Sequence, residues 1–85
     1  SIIEAAVPKE YIGKTVREVN FKSVFNLLVL TIIKKRTVKS ILGKTRVETE
    51  VQGVASADLK LEAGDNLMLY GANKDLKNFL KQKLE

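Results

Sequence analysis

Between residues 27 and 33 the chain reads Leu-Leu-Val-Leu-Thr-Ile-Ile, a run without alternation and rich in β-branched side chains. Such a run fits a strand covered on both faces, so it predicts the central strand of a sheet. Lys34-Lys35-Arg36 then carries the chain out to solvent. Residues 45–51, Thr-Arg-Val-Glu-Thr-Glu-Val, alternate cleanly. Val47, Thr49 and Val51 fall on one side and Arg46, Glu48 and Glu50 on the other, which predicts a half-buried antiparallel strand. Gly43-Lys44 supplies a turn between the two runs, so they should form a hairpin.

Before the central run, Ser-Ile-Ile-Glu-Ala-Ala-Val is β-prone and is closed by Pro8. A loop with a turn at Gly13 follows. Thr15 and Glu18 have the spacing of a capping box, which starts a helix at Val16. Val16 and Val19 share a face that Val24 and Phe25 continue, and Asn26 ends the helix. After the hairpin, residues 52–57 read as a loop and Leu59 and Leu61 as a short alternating strand. Ala63-Gly64-Asp65 turns the chain into a strand from Asn66 to Tyr70, with Leu67 and Leu69 on one face. Asp65 should accept hydrogen bonds from nearby backbone N–H groups, as turn aspartates do. The last segment is a helix with Asn73 as its N-cap and Asp75 near its positive end. Leu76, Phe79, Leu80 and Leu84 form its apolar stripe, with Lys81 and Lys83 near its negative end. The order β-α-β-β-β-β-α predicts an α+β domain over residues 1–85, with two helices on a small antiparallel or mixed sheet of about four or five strands.

Composition narrows the chemistry. The chain of 85 residues has no cysteine and no histidine. That removes the usual zinc sites, the Ser-His and Cys-His nucleophiles and imidazole bases. A small domain without disulfides also points to an intracellular setting. The glycines are scattered, with no G-x-G-x-x-G and no P-loop, so no Rossmann-type nucleotide cradle is encoded. Glu48 and Glu50 lie about 7 Å apart along one strand face, but with no cleft residues beside them they read as solvent-facing. The expectation is a protein that is not an enzyme. No signal peptide is visible, and the longest apolar run is far shorter than the roughly 20 residues of a membrane span.

The formal net charge is +5. Lys34, Lys35, Arg36, Lys39, Lys44 and Arg46 occur with no acid between them. A basic nucleic-acid-binding module is therefore an alternative reading. It lacks the aromatic side chains that stack on bases near this run, and a solvated hairpin end is the plainer account. Two helices either suffice to cover the 27–33 run or leave an apolar patch, which would mark an interface, for which a symmetric dimer is the common outcome.

Two segments together resemble a known family. Residues 7–35, VPKEYIGKTVREVNFKSVFNLLVLTIIKK, and residues 58–79, DLKLEAGDNLMLYGANKDLKNF, are similar to the TrkA-C domain, also called the RCK C-terminal domain. The resemblance is carried by Ile12-Gly13-Lys14-Thr15, Ile32-Ile33-Lys34-Lys35, Gly64-Asp65, Leu67 and Gly71. Residues 37–57 are longer than the short hairpin usual there, and the Asn/Ser-Pro common before the last strands is absent. The resemblance implies a regulatory subunit of potassium or other cation transport. It would be cytoplasmic, dimeric and part of a gating ring on the inner face of the membrane. Its implied partners are a TrkA-N nucleotide-binding protein or domain and a membrane channel or transporter, with no nucleic acid. Some members bind a cyclic dinucleotide at the dimer interface and others divalent cations; no cofactor is implied within one chain. For the cyclic dinucleotide, the end of the first helix and the start of the next strand would supply contacts, which places Lys22, Asn26 and Leu28 as the candidate site residues.

Overall fold

The computed structural model describes residues 1–83. The expectations for the side chains of Lys83 and Leu84 lie outside what it describes. Strand β1 (Ile2–Ala6) is followed by a 3-10 turn (Lys9–Tyr11), helices α1 (Val16–Val19) and α2 (Phe21–Phe25), strands β2 (Leu28–Lys39), β3 (Thr45–Val51) and β4 (Asn66–Tyr70), and helix α3 (Asn73–Lys83). The four strands form one sheet in the order β1-β4-β2-β3. All three pairings are antiparallel. The α+β class and the β2–β3 hairpin are as the sequence predicts.

The capping box forms in both directions. Thr15 Oγ1 accepts from the Glu18 N–H at 3.2 Å, and the Thr15 N–H donates to Glu18 Oε1 at 3.0 Å. These bonds hold the Glu18 carboxyl below its ordinary value of 4.5. The single helix expected from Val16 to Phe25 is instead two short pieces, broken at Asn20, which takes the left-handed conformation at φ 59°. Asparagine tolerates that region better than other non-glycine residues. The break brings Phe21 into the core at 3% exposure, a position that one continuous apolar stripe does not include. Phe21, Phe25, Tyr11 and Phe79 then pack edge to face or tilted, with Phe25 and Phe79 perpendicular at 5.1 Å between centroids.

The strand expected at Leu59 and Leu61 reduces to an isolated bridge between Thr15 and Lys60. Its backbone is spent instead on the α1 entry: Leu61 exchanges N–H···O bonds with Lys14 and Gly13, and the Leu59 carbonyl accepts from Val16. Asn73 is the first residue of α3 rather than its cap; the Ala72 carbonyl accepts the first helical bond, from the Leu76 N–H.

The central strand differs from expectation in its cover. Cross-strand rows Ile3–Leu69–Val29 and Ala5–Leu67–Ile32 face the helices and form the core with Leu27, Leu61, Leu76 and Phe79. The opposite row Ile2–Tyr70–Leu28 remains 52–55% exposed. A bulge at Leu30, between Val29 and Thr31, shifts the register with β4 at this point. β3 is exposed along almost its whole length, Val47 and Val51 included. The alternation in β3 therefore marks two faces correctly, but no helix covers the apolar one. One face of the sheet is left with a row of adjacent aliphatic and aromatic side chains in water.

Candidate ligand-binding site

A concave surface of about 420 Å³ lies where α2, β2, β4 and the start of α3 meet. It is lined by Lys22, Asn26, Leu27, Leu28, Tyr70, Gly71 and Ala72. Each wall has a local cause. α2 ends because Asn26 turns left-handed at φ 58°, ψ 39°, which sends the chain directly into β2. The Asn26 Nδ2 then donates to Asp75 Oδ2 at 3.1 Å and ties this turn to the first turn of α3. Gly71 is required by close approach rather than by its φ. A Cβ there would lie 2.5 Å from Leu27 Cδ2 and 3.4 Å from the Asn26 carbonyl oxygen. Without that Cβ, the α2–β2 connection presses against the end of β4 and Leu27 is buried at 2% exposure.

The surface mixes one cation with apolar contact area. Lys22 supplies the charge, and the positive end of α3 begins one residue past Ala72. Leu28 and Tyr70 are direct cross-strand partners, both about half exposed. They present an aliphatic and an aromatic surface side by side, on the uncovered face of the sheet. Such a set can hold an anionic group against Lys22 while a flat apolar group packs on Leu28 and Tyr70. A metal cation would meet repulsion from Lys22. Among the described residues, no group of three or more His, Cys, Asp or Glu side chains stands ready to bind one.

Lys22, Asn26 and Leu28 thus share one surface. Sequence reading missed Tyr70, Gly71 and Ala72, which reach it only through the β2–β4 register. Gly71 is one of the residues that carry the family resemblance, but nothing in the sequence gives its distance to Leu27.

The basic run is dispersed by strand alternation and neutralised in part. Lys34 turns toward the 62–65 turn, donating to the Lys60 carbonyl at 3.0 Å, to Glu62 Oε1 at 2.9 Å and to Asp65 Oδ2. Asp65, 2% exposed, also accepts from the Glu62 N–H at 2.9 Å, so its expected backbone bond is present. Burial works to lower the Lys34 pKa, but the hydrogen bonds to Asp65 and Glu62 outweigh it and leave the group above its ordinary value. The Lys34 bond in turn holds Glu62 below its own. Arg36 faces Glu48 and Glu50, and Arg46 binds Glu48 at 2.7 Å. Lys34 joins strand to turn, whereas the two arginines pair within the hairpin at exposed positions.

No protein-family model matches the chain, and no curated protein matches it. Solved structures do. The RCK C domain of the potassium transport protein KtrA, in complex with cyclic diadenosine monophosphate, superposes with a TM-score of 0.68 at 21% identity, over 96% of this chain and 81% of that one. The RCK domain of GsuK gives 0.69 at 15% identity, over 99% of this chain, and the GsuK channel bound to NAD gives 0.73 at 15%, also over 99%. The fold is that of an RCK C-terminal domain. The chain spans 16% and 13% of the two GsuK chains. Within the RCK C-terminal fold, the concave surface lies at the junction of the α2–β2 connection with the end of β4. No helix among the described residues is long and apolar enough to cross a membrane.

Proposed function

We propose that this chain is a dimerising regulatory domain of a potassium or other cation transport system, and that Lys22, Asn26, Leu28 and Tyr70 bind a cyclic dinucleotide between two copies. The observation that carries the reading is the placement of the pocket. Its apolar wall, Leu28 and Tyr70, is part of the uncovered sheet row that also includes Ile2. A two-fold copy packed on that row would bury it and close the pocket from outside, so that one ligand touches both protomers. Lys22 would pair with a phosphate, and Tyr70 and Leu28 would pack against a purine. The likeness to KtrA, whose structure contains such a ligand, supports the same class here.

The mechanism needs no bond-making. A ligand that bridges two protomers favours the packing in which both half-sites face each other, by its difference in affinity for the two arrangements. A TrkA-N-type nucleotide-binding partner and a membrane channel or transporter would receive that change. The nucleic-acid alternative is less favoured, because the 34–46 run has no aromatic side chain to stack on bases and Lys34 is bound to Asp65 and Glu62. Titration calorimetry with cyclic di-AMP tests the proposal. Binding at one ligand per two chains is expected, weakened at least about tenfold by Lys22→Ala, as loss of a charge-assisted phosphate contact implies. No heat with any of the common cyclic dinucleotides would overturn the ligand assignment.

A further inference from the structure

The β2–β3 hairpin is not explained by the pocket or by the core. β2 pairs with β4 only as far as Ile33, while its pairing with β3 continues to Lys39. Residues 34–39 therefore run past the last pairing with β4, by about 20 Å at the rise of an antiparallel strand, with Lys34 still held by the 62–65 turn. The molecule is correspondingly long, 47 × 25 × 23 Å.

The turn at the end is well built. The Gly43 N–H donates to the Ser40 carbonyl at 3.0 Å, and the Lys44 N–H to Ser40 Oγ at 3.1 Å. Gly43 takes the left-handed conformation at φ 80°. Ser40 and Gly43 are thus what the turn geometry requires. Its two central positions have no such requirement and are usually polar, yet they are Ile41 and Leu42, 104% and 85% exposed. Local rules broken without a folding gain point to function.

Charge surrounds these two side chains. Lys39 and Lys44 flank the turn, and neither takes part in an ion pair among the described residues. Lys35 lies further down the same strand, also without one. No acid occurs between Glu18 and Glu48 in the sequence. The tip is convex and small, far below the roughly 800 Å² per partner of a standard protein interface. A convex pair of aliphatic side chains ringed by free lysines matches a soft, anionic, apolar medium: the aliphatic groups enter it and the ammonium groups remain at its charged surface.

We infer that the hairpin tip is a membrane-surface anchor, with Ile41 and Leu42 inserting among the headgroups of an anionic bilayer and Lys39 and Lys44 held on its phosphates. The inference stands on the hairpin and is independent of the ligand pocket.

Co-sedimentation of the whole chain with vesicles of phosphatidylcholine and phosphatidylglycerol tests it, beside phosphatidylcholine vesicles alone. The chain should sediment with the anionic vesicles only. The double substitution Ile41→Ser, Leu42→Ser should reduce partitioning at least about tenfold, from the lost apolar burial. Lys39→Glu with Lys44→Glu should do the same, and added salt should weaken binding. The chain has no tryptophan, so Leu42→Trp gives a single reporter, whose emission should shift to the blue on anionic vesicles. All substitutions lie in exposed positions, and unchanged circular dichroism verifies the fold. No sedimentation would overturn the inference, as would equal sedimentation of the parent and the double-serine variant. So would a double-serine variant that loses self-association with no change toward vesicles, which would assign the tip to a second copy of the chain.

Discussion

Lys34→Met should cost the domain about 3 kcal/mol, a value that follows from what each end of the contact loses. Asp65 is 2% exposed and the Lys34 side chain 18%. Methionine keeps the packed stem of the lysine and removes the ammonium. Asp65 then remains a buried carboxylate with the Glu62 N–H as its remaining donor at 2.9 Å. Removing one partner from a fully buried pair costs roughly 3–5 kcal/mol; the partly exposed lysine and the remaining backbone donor move the value toward the lower end. The Glu62 contact adds little, because that side chain is 66% exposed. For a domain of this size, the expected loss is a fall in Tm of about 10–20 °C. Urea denaturation followed by circular dichroism gives the free energy, with an unchanged m-value showing that the unfolded state is the same. Lys34→Met combined with Asp65→Asn should recover about 1–2 kcal/mol, because the uncompensated charge is gone, so the cycle should show clear coupling. A loss below about 0.5 kcal/mol for Lys34→Met, or strict additivity in the double variant, would refute the assignment of this contact as the tie between β2 and the 62–65 turn.

Gly71→Ala forces a Cβ to 2.5 Å from the buried Leu27 and should destabilise by about 1–3 kcal/mol while reshaping the pocket floor, read by denaturation together with ligand titration. Thr15→Ala removes the Glu18 N–H acceptor of the capping box and should cost about 1 kcal/mol, with Thr15→Ser close to neutral. Stability should also fall at both ends of the pH range. Glu18 and Glu62 are held below their ordinary 4.5, so their contributions are present above that value and are lost as pH falls through the folded-state pKa. Lys34 is raised above 10.5, so its contribution is complete below that pH and is lost as pH rises through the higher folded-state value. Lys34→Met should flatten the alkaline limb, which urea midpoints across pH will show.

The elements of the fold were legible where local chemistry decides them. The Thr15–Glu18 spacing, the alternation of residues 45–51 and the Leu67–Leu69 pair correctly gave a helix start and two strands. The breaks were not legible. Asn20 interrupts a helix because burying Phe21 and Phe25 against Phe79 outweighs one continuous stripe, a tertiary effect absent from the local pattern. Residues 27–33 carry the composition of a doubly covered strand, yet three short helices cover one face only. That excess of apolar residues makes sense once a second surface is placed on Leu28, Tyr70 and Ile2. In the candidate site, Lys22, Asn26 and Leu28 lie close together in sequence and were picked out by family resemblance. Tyr70 joins them only through a pairing 42 residues apart. The basic run shows the opposite failure: a sequence-wide count of cations hides that alternation sends Lys34, Arg36 and Arg46 to carboxylates.

The central claim is that two copies meet on the uncovered sheet face and close the pocket around a ligand. Light scattering on a size-exclusion column, with and without cyclic di-AMP, tests it most directly. The expected result is a species of twice the chain mass that the ligand stabilises against dilution and that Leu28→Asp, placed on the open row, converts to monomer with its circular dichroism intact. A parent chain that stays monomeric at high concentration with ligand present would contradict it.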